Sequence, residues 1–367
     1  MFPKTAAATA ALILAASAAL AERIATEAGP MVAQPVVEGL DIPWAFGFLP
    51  DGTILVTERE GALVAQRGED RWTIDGLPKI EVDGQGGLLD ILVPRDFATS
   101  REIFLTYSKA QFVRGSGTAV YRARLSEDGR RLEGGETIFE IARGSGGGFH
   151  FGSRIVEASD GTLFVTVGDR GNPETAQDRA MHNGSVLRIT RDGRVPADNP
   201  FVGQSGVQPE IWSWGHRNPQ GAAVDGDGQL WVIEHGARGG DEVNRIEKGA
   251  NYGWPVIAYG VNYNGSSIGV GTAQEGMKQP VYYWDPSIAP SDMAFFRGGN
   301  WDGQAFVGSL KFDYVSRLSG NPLREVERIE GAATSRVRDV DQGPDGALWF
   351  LSEGNGALYR LVPGEGS

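Results

Sequence analysis

PDGTILVTE, residues 50–58, decides the fold because it recurs. SDGTLFVTVGD (159–169), GDGQLWVIEHG (226–236) and PDGALWFLSEG (344–354) share its plan. Each opens on an Asp-Gly turn and continues as a short run of β-branched, aromatic and aliphatic residues, the pattern of a buried strand. The turn aspartates, Asp51, Asp160, Asp227 and Asp345, are separated by 109, 67 and 118 residues. One spacing is near a single unit of ~55 to 60 residues and two are near twice that unit, so two degenerate copies are expected. REIFLTYSKA (101–110) followed by AVYRARL (119–125) fills the first long gap, and NWDGQAFVGSL (300–310) followed by YVSRLSG (314–320) fills the second. Six units of four short strands describe an all-β fold, a six-bladed β-propeller with four-stranded antiparallel blades. A pair of β-sandwiches is the alternative. No long amphipathic helical period follows the first residues, which argues against α/β barrels and dinucleotide-binding folds. The 53 glycines suit many tight turns.

Outward from the repeat, the chain divides simply. Residues 1–21, MFPKTAAATAALILAASAALA, have a basic Lys4, an apolar small-residue stretch and an A-x-A site ending at Ala21. This reads as a cleavable signal peptide, too short for a membrane span, and predicts a periplasmic or secreted protein. Residues 22–367 then form one propeller domain, large enough to fold without the disulfides that the absence of cysteine rules out. The same absence removes thiolate metal sites and cysteine nucleophiles. A net charge of −13 disfavours nucleic acid and anionic membranes as partners and is compatible with a bound cation.

In a propeller the strand-connecting loops gather at one end of the channel, and sites form there from several loops. Four histidines are available. His150 sits in GGGFHFGSR (146–154), where the preceding glycines let a ligand approach the backbone; it is either a packed structural ring or a general base. WSWGHRNPQG (212–221) carries His216, Arg217 and Asn218. Arg217 offers a fork of donors for a carboxylate or oxyanion, or stacks on Trp212 or Trp214. SRVRDVDQG (335–343) places Arg336 and Arg338 two residues apart, on one face of a strand, where they repel unless an anion lies between them; Lys311 in GSLKFDY could join them. A solvated edge strand is the plainer account. In EHGARGGDEVN (234–244) Glu234, Asp241 and Glu242 surround glycines that expose carbonyls, a composition that suits Ca²⁺ without matching any known loop spacing. There is no metalloprotease, Walker or nucleophile-elbow motif.

With these loops in view, the sequence resembles the soluble aldose sugar dehydrogenases of the glucose/sorbosone dehydrogenase family, which use pyrroloquinoline quinone (PQQ). The resemblance runs from about Gly39 to Leu361 and includes, in order, GLDIPWAFGFLPDG, GQGGLLDI, HFGSRI, VGDRG, HNGSVLRI, WSWGHRNPQG, the EHG…GGDE…NYGWP segment, SIAPS, SLKF and RVRDVDQGPDG. It implies a six-bladed propeller that oxidises an aldose at its anomeric carbon to a lactone. His150 would be the general base, and Gln85 its support. Arg217 and Asn218 would contact the quinone oxygen, and Asp169 in VGDRG the sugar. Lys311, Arg336 and Arg338 would hold the cofactor's carboxylates. The carbonyls of Gly236 and Ala237 would bind the cofactor calcium, and those of Glu242 and Tyr252 a structural one. The partners implied are an aldose and an external electron acceptor, and a monomer is expected. Two departures bear on specificity: Ala237 replaces the family's usual proline, and Phe149 stands where the well-known glucose enzyme has an aspartate, so broader aldose use is expected. The competing functions are a calcium-dependent propeller hydrolase of sugar lactones and a non-catalytic propeller that binds a glycan or protein.

Overall fold

A computed structural model describes residues 21–112 and 115–364. Six sheets form the six blades. Their first strands, in chain order, are Pro43–Phe48, Leu88–Leu92, Ile155–Glu157, Pro219–Val224, Pro290–Phe295 and Val337–Gln342. Successive first strands contact one another and wall the central channel. The repeated motif supplies the second strand of each blade: Ile54–Glu58, Leu163–Val167, Leu230–Glu234 and Leu348–Ser352 follow the four Asp-Gly turns. The two degenerate copies do the same, as Glu102–Gln111 and Ala305–Ser309.

The turn chemistry explains the repetition. Gly52, Gly161, Gly228 and Gly346 all take a left-handed φ of 79 to 85°, where a side chain is strained. Gly303 in NWDG has φ 72°. Blade two lacks the dipeptide; there a single helical turn, Phe97–Ser100, ends on Arg101 at φ 53° and makes the same reversal. This is the only α-helix among the described residues, in keeping with the missing helical period. The apolar runs are buried because each blade is covered on both faces. Leu55, Leu63 and Trp44 of blade one, for example, pack with Leu88, Leu105 and Tyr121 of blade two.

Blade six departs from the expected four strands. To Val337–Gln342, Leu348–Ser352 and Ala357–Pro363 it adds Gly29–Val37 and then Glu22–Thr26. Gly29–Val37 pairs antiparallel with Ala357–Pro363, Val32 opposite Val362, so the two ends of the described chain close the ring. The signal peptide expected over 1–21 lies, but for Ala21, outside the described residues. Among those residues no helix is long and apolar enough to cross a membrane.

Candidate active site

Every first strand runs the same way, so the six starts crowd one end of the channel. Second strands run back antiparallel, so their ends arrive at that same mouth. Gln85, His150, Arg217, Asn218 and Arg336 precede first strands; Asp169, Gly236, Lys311 and Glu353 follow second strands. Residues spread from Gln85 to Glu353 thus come together for one topological reason.

His150 is held from three sides. Its backbone takes a left-handed φ of 55°, and its N–H donates to Gln85 Oε1 at 2.8 Å. Its ring Nδ1 lies 2.7 Å from Asp169 Oδ1. Among the described residues its Nε2 has no partner, and the side chain keeps 16% exposure. The ring does not pack between its two phenylalanine neighbours. Phe149 is tilted 5.9 Å away and half exposed, whereas Phe151 is buried under the Arg170 guanidinium.

Asp169 lies against the His150 ring. The resemblance assigns it to the sugar, but it is fully buried behind His150. Besides His150, Oδ1 accepts the Gly171 N–H at 2.8 Å, and Oδ2 accepts Trp254 Nε1 at 2.8 Å. Oδ1 thus has two partners and Oδ2 one, and the carboxyl group is shut away from solvent. Nothing in the sequence pattern singles out Trp254, which also faces the Arg217 guanidinium at 5.3 Å.

Arg217 and Asn218 are buried beside this pair. Asn218 Oδ1 accepts the Gly152 N–H at 3.2 Å, which ties it to the His150 loop. Its Nδ2 is buried without an acceptor, as is Arg217 Nε. Buried donors are rarely left unpaired, so these two mark a place for an acceptor that the protein does not supply. Arg217 Nη1 donates to the Gly236 carbonyl at 2.6 Å. His235, next along, donates through Nε2 to the Pro290 carbonyl at 2.8 Å; burial, and then the Arg217 charge, push its pKa down to about 3, so the ring is neutral.

The basic cluster forms, with a partner the sequence reading lacks. Glu353 lies between the two arginines: Arg336 Nε reaches Oε1 at 2.6 Å, and Arg338 Nη2 reaches Oε2 at 2.7 Å. The expectation that only a ligand could relieve their repulsion is therefore corrected. Burial opposes ionisation of Glu353, yet the two guanidiniums hold its carboxyl below the ordinary value. Arg336 precedes its strand with φ 51° instead of sharing a strand face with Arg338. Arg338 Nη1 also donates to Gln220 Oε1 at 3.0 Å. Arg336 Nη1 donates to the Leu310 carbonyl at 3.2 Å, beside Lys311, which is exposed and without an ion pair among the described residues. Two cations thus meet one carboxylate, and Lys311 follows the residue whose carbonyl Arg336 holds.

Gly236, Ala237, Glu242 and Tyr252 do come together. With Arg217 and Glu234 they border a cavity of about 20 Å³, the scale of one ion or water. Glu242 is pushed up to about 8 by burial and then by the Glu234 charge. Among the described residues no three His, Asp or Glu side chains are arranged to hold a metal, so an ion here would rely on carbonyls.

Below the mouth lies a second charged cluster. Arg154 contacts Asp90 at 2.9 Å, Asp292 at 3.0 Å and Asp339 at 3.1 Å. Trp44 lies between the clusters, 4.6 Å from the Arg154 guanidinium and 6.0 Å from that of Arg338, within cation–π range.

A propeller with a histidine–carboxylate pair and a cationic anion pocket at one mouth defines a class, and comparison with known proteins names it. The profile described as "Glucose / Sorbosone dehydrogenase" matches residues 40–360, and the chain belongs to that family. The chain is 42% identical to "Aldose sugar dehydrogenase YliI" of Escherichia coli, across 88% of this chain and 91% of that protein. It is 26% identical to "Quinoprotein glucose dehydrogenase B" of Acinetobacter calcoaceticus, across 89% and 86%. The apo structure of the soluble E. coli aldose sugar dehydrogenase superposes with a TM-score of 0.86 at 40% identity, covering 90% of this chain and 99% of that one. The PQQ-bound aldose sugar dehydrogenase of Streptomyces coelicolor does so with 0.75 at 26%, covering 90% and 96%.

Proposed function

We propose that the chain is a PQQ-dependent aldose sugar dehydrogenase that oxidises the anomeric carbon to a lactone, with His150 as general base. The observation that carries this is the 2.7 Å contact of His150 Nδ1 with Asp169, set beside an open Nε2. A buried carboxylate accepting Nδ1–H fixes the tautomer and leaves a lone pair on Nε2. That nitrogen takes the proton of the C1 hydroxyl as the C1–H bond gives up its electron pair and C1=O forms. Asp169 then stabilises the imidazolium, and Trp254 and Gly171 keep it from turning away. Gln85 holds the loop on which the base sits.

Bound PQQ would supply the acceptor for the hydride. Lys311, Arg336 and Arg338 fit its three carboxylates, since charge-assisted hydrogen bonds need an excess of fixed cations. The unpaired donors on Arg217 and Asn218 fit its quinone oxygens, with Arg217 stabilising negative charge there. Calcium would be held by the Gly236 and Ala237 carbonyls as a Lewis acid toward the cofactor, and the Glu242 and Tyr252 carbonyls suit a structural ion. An external acceptor would reoxidise the cofactor. The apolar N-terminal stretch supports a periplasmic or secreted enzyme, and we expect a monomer.

The test is reconstitution with PQQ and Ca²⁺, read as dye reduction by an aldose. His150→Ala should keep the cofactor's absorbance titration and lose about 10² to 10⁴ in kcat. A variant with more than about half the wild-type kcat would reduce His150 to a structural role. A lactonase would hydrolyse lactone without dye reduction, and a glycan-binding propeller would do neither.

A further inference from the structure

One buried carboxylate near the mouth has no role above. Asp241 opens the third strand of blade four, Asp241–Arg245, and is fully buried. By composition it is a candidate calcium ligand, yet it does not border the small cavity lined by Gly236, Ala237 and Glu242. Four donors surround its carboxyl group instead. Oδ1 accepts the Gly236 N–H at 2.7 Å. Oδ2 accepts the Ile288 and Ala289 N–H groups at 2.7 and 2.8 Å. The Ser287 hydroxyl lies 2.9 Å from Oδ1 and 2.8 Å from Oδ2. Ala289 is left-handed, with φ 54°, and two successive N–H groups converge on one oxygen as in an anion nest. Burial raises the carboxyl pKa, and the same four donors oppose the rise.

The partners of Asp241 lead to opposite ends of the proposed cofactor pocket. On one side the Gly236 carbonyl accepts Arg217 Nη1 at 2.6 Å. That loop has no slack, since a Cβ on Gly236 would meet the Gly239 carbonyl at 2.1 Å. On the other side the Ile288 carbonyl accepts the Lys311 N–H at 3.2 Å, and the Ala289 carbonyl accepts the Leu310 N–H at 3.1 Å. Ser309 Oγ also donates to the Ile288 carbonyl, at 2.9 Å. The Leu310 carbonyl in turn accepts Arg336 Nη1. Hydrogen bonds therefore run from Arg217 through Asp241 to Lys311 and Arg336, across blades four, five and six. A ligand gripped at both ends tolerates little error in the distance between its two sets of donors, and a site about 1 Å too loose loses its function.

We propose that Asp241 is a positioning residue that sets the span of the pocket, tying the Gly236 loop at the quinone end to the 287–289 loop that anchors Lys311 at the carboxylate end. The proposal rests on the PQQ reading above and deepens it. Asp241 touches neither the cofactor nor the sugar; it acts through Arg217 and Lys311.

A double-mutant cycle read by absorbance titration with PQQ in saturating Ca²⁺ tests this. Asp241→Asn keeps the size of the side chain but turns one acceptor into a donor facing donors. It should raise the Kd for PQQ about tenfold or more. Lys311→Ala alone should cost about tenfold. In the Asp241→Asn background it should cost less than about threefold, because Lys311 is already out of place. Two losses that multiply, or an unchanged Kd in Asp241→Asn, overturn the proposal. If Asp241→Asn does not fold, Ser287→Ala removes one donor and leaves the carboxylate; it should weaken PQQ about threefold with the same shortfall on adding Lys311→Ala, and multiplying losses there overturn the proposal equally. A second readout needs no cofactor. In apoprotein, amide hydrogen exchange in Asp241→Asn should rise at 234–240 and 285–289 and extend to 309–313, which makes no hydrogen bond with Asp241, while 146–154 stays protected as in wild type. Faster exchange confined to the strand 241–245 and its neighbour 282–284 would make Asp241 a part of its blade alone. If wild type binds no PQQ, the cofactor reading fails by itself, and the exchange pattern still decides whether Asp241 couples the two loops.

Discussion

At the mouth of the channel two guanidiniums, Arg336 and Arg338, close on one carboxylate, Glu353. At its waist one guanidinium, Arg154, closes on three carboxylates, Asp90, Asp292 and Asp339. The clusters are opposite in sign and share Trp44. They differ in how the excess charge can be relieved. A carboxylate surrounded by its like can take up a proton: burial pushes Asp90 up to about 6 and raises Asp292 well above its ordinary value. A guanidinium cannot discharge in the same way, because it stays protonated at any ordinary pH. Burial lowers the pKa of Arg338. The acidic excess can therefore be relieved in part by protons within the protein, while the basic excess persists at pH 7 and is available to an anion. That contrast supports the cofactor's carboxylates at the mouth and argues against a comparable ligand at the waist.

The largest expected effect tests the waist as a structural hub. Arg154 binds three carboxylates and also donates to the carbonyls of Gln220 at 3.1 Å and Ser291 at 3.4 Å. Four blades are thereby joined to its own. Arg154→Met keeps much of the volume and removes the countercharge, and losing one partner of a buried ion pair costs about 3 to 5 kcal/mol. Chemical denaturation at pH 7 should show a loss of that order. A loss below about 1 kcal/mol would mean that protonation alone neutralises the cluster and that Arg154 is dispensable.

The next effect tests the mouth. Arg338→Gln should weaken PQQ binding by roughly 1.5 to 3 kcal/mol, the value of a charged hydrogen bond. Because Glu353 and Gln220 both lose a partner, the apoprotein should also melt lower, by about 1 to 3 kcal/mol of stability. Glu353→Gln separates the two roles. If Glu353 mainly aims the guanidiniums, PQQ affinity falls although the pocket has become more positive. If it mainly competes with the ligand, affinity rises. We expect a fall, since both arginines lose their fixed orientation.

Mouth and waist also differ from the blades in how far the amino-acid sequence alone reveals them. The blades are legible because a blade's signal is local: an Asp-Gly turn whose glycine must be left-handed, then a run buried on both faces. The pairing of Gly29–Val37 with Ala357–Pro363 carries no local signal, so the closing strand is invisible in the sequence pattern. At the site, His150 stands out by scarcity and by its glycines, and the arginine pair by its apparent repulsion. Their partners do not stand out. Glu353 reaches the arginines only because Val337 lies opposite Ser352 in the blade, a register that spacing does not reveal. Asp169 is conspicuous in VGDRG, but a carboxylate beside a base and one beside a sugar look alike in sequence. Burial separates them.

The smallest effect is the proton at the waist. Asp90 faces Arg154 and the Asp339 charge, and it accepts the N–H groups of Ile91 and Ile155 at 2.8 and 2.7 Å. Burial is the largest influence on it and raises its pKa from 3.8 to about 6. Between those two values the folded protein holds this proton and the unfolded chain does not. Folding is then coupled to proton uptake, so this group adds stability as pH falls through 6 toward 3.8 and adds none above 6. At about 1.4 kcal/mol per pH unit, lowering the pH from 7 to 5 gains roughly 1.4 kcal/mol from Asp90 alone. Asp90→Asn removes that gain, whatever it does to stability at pH 7. Urea denaturation of both proteins at pH 7 and pH 5 isolates it, because contributions from other groups appear in both and cancel. The variant should compare less favourably with wild type at pH 5 than at pH 7, by up to that amount. Parallel behaviour within about 0.3 kcal/mol would place the proton on another carboxylate of the cluster, with Asp292 the next to substitute. An opposite sign would mean that Asp90 is held ionised by Arg154, and the contrast between a dischargeable waist and a persistent mouth would fail.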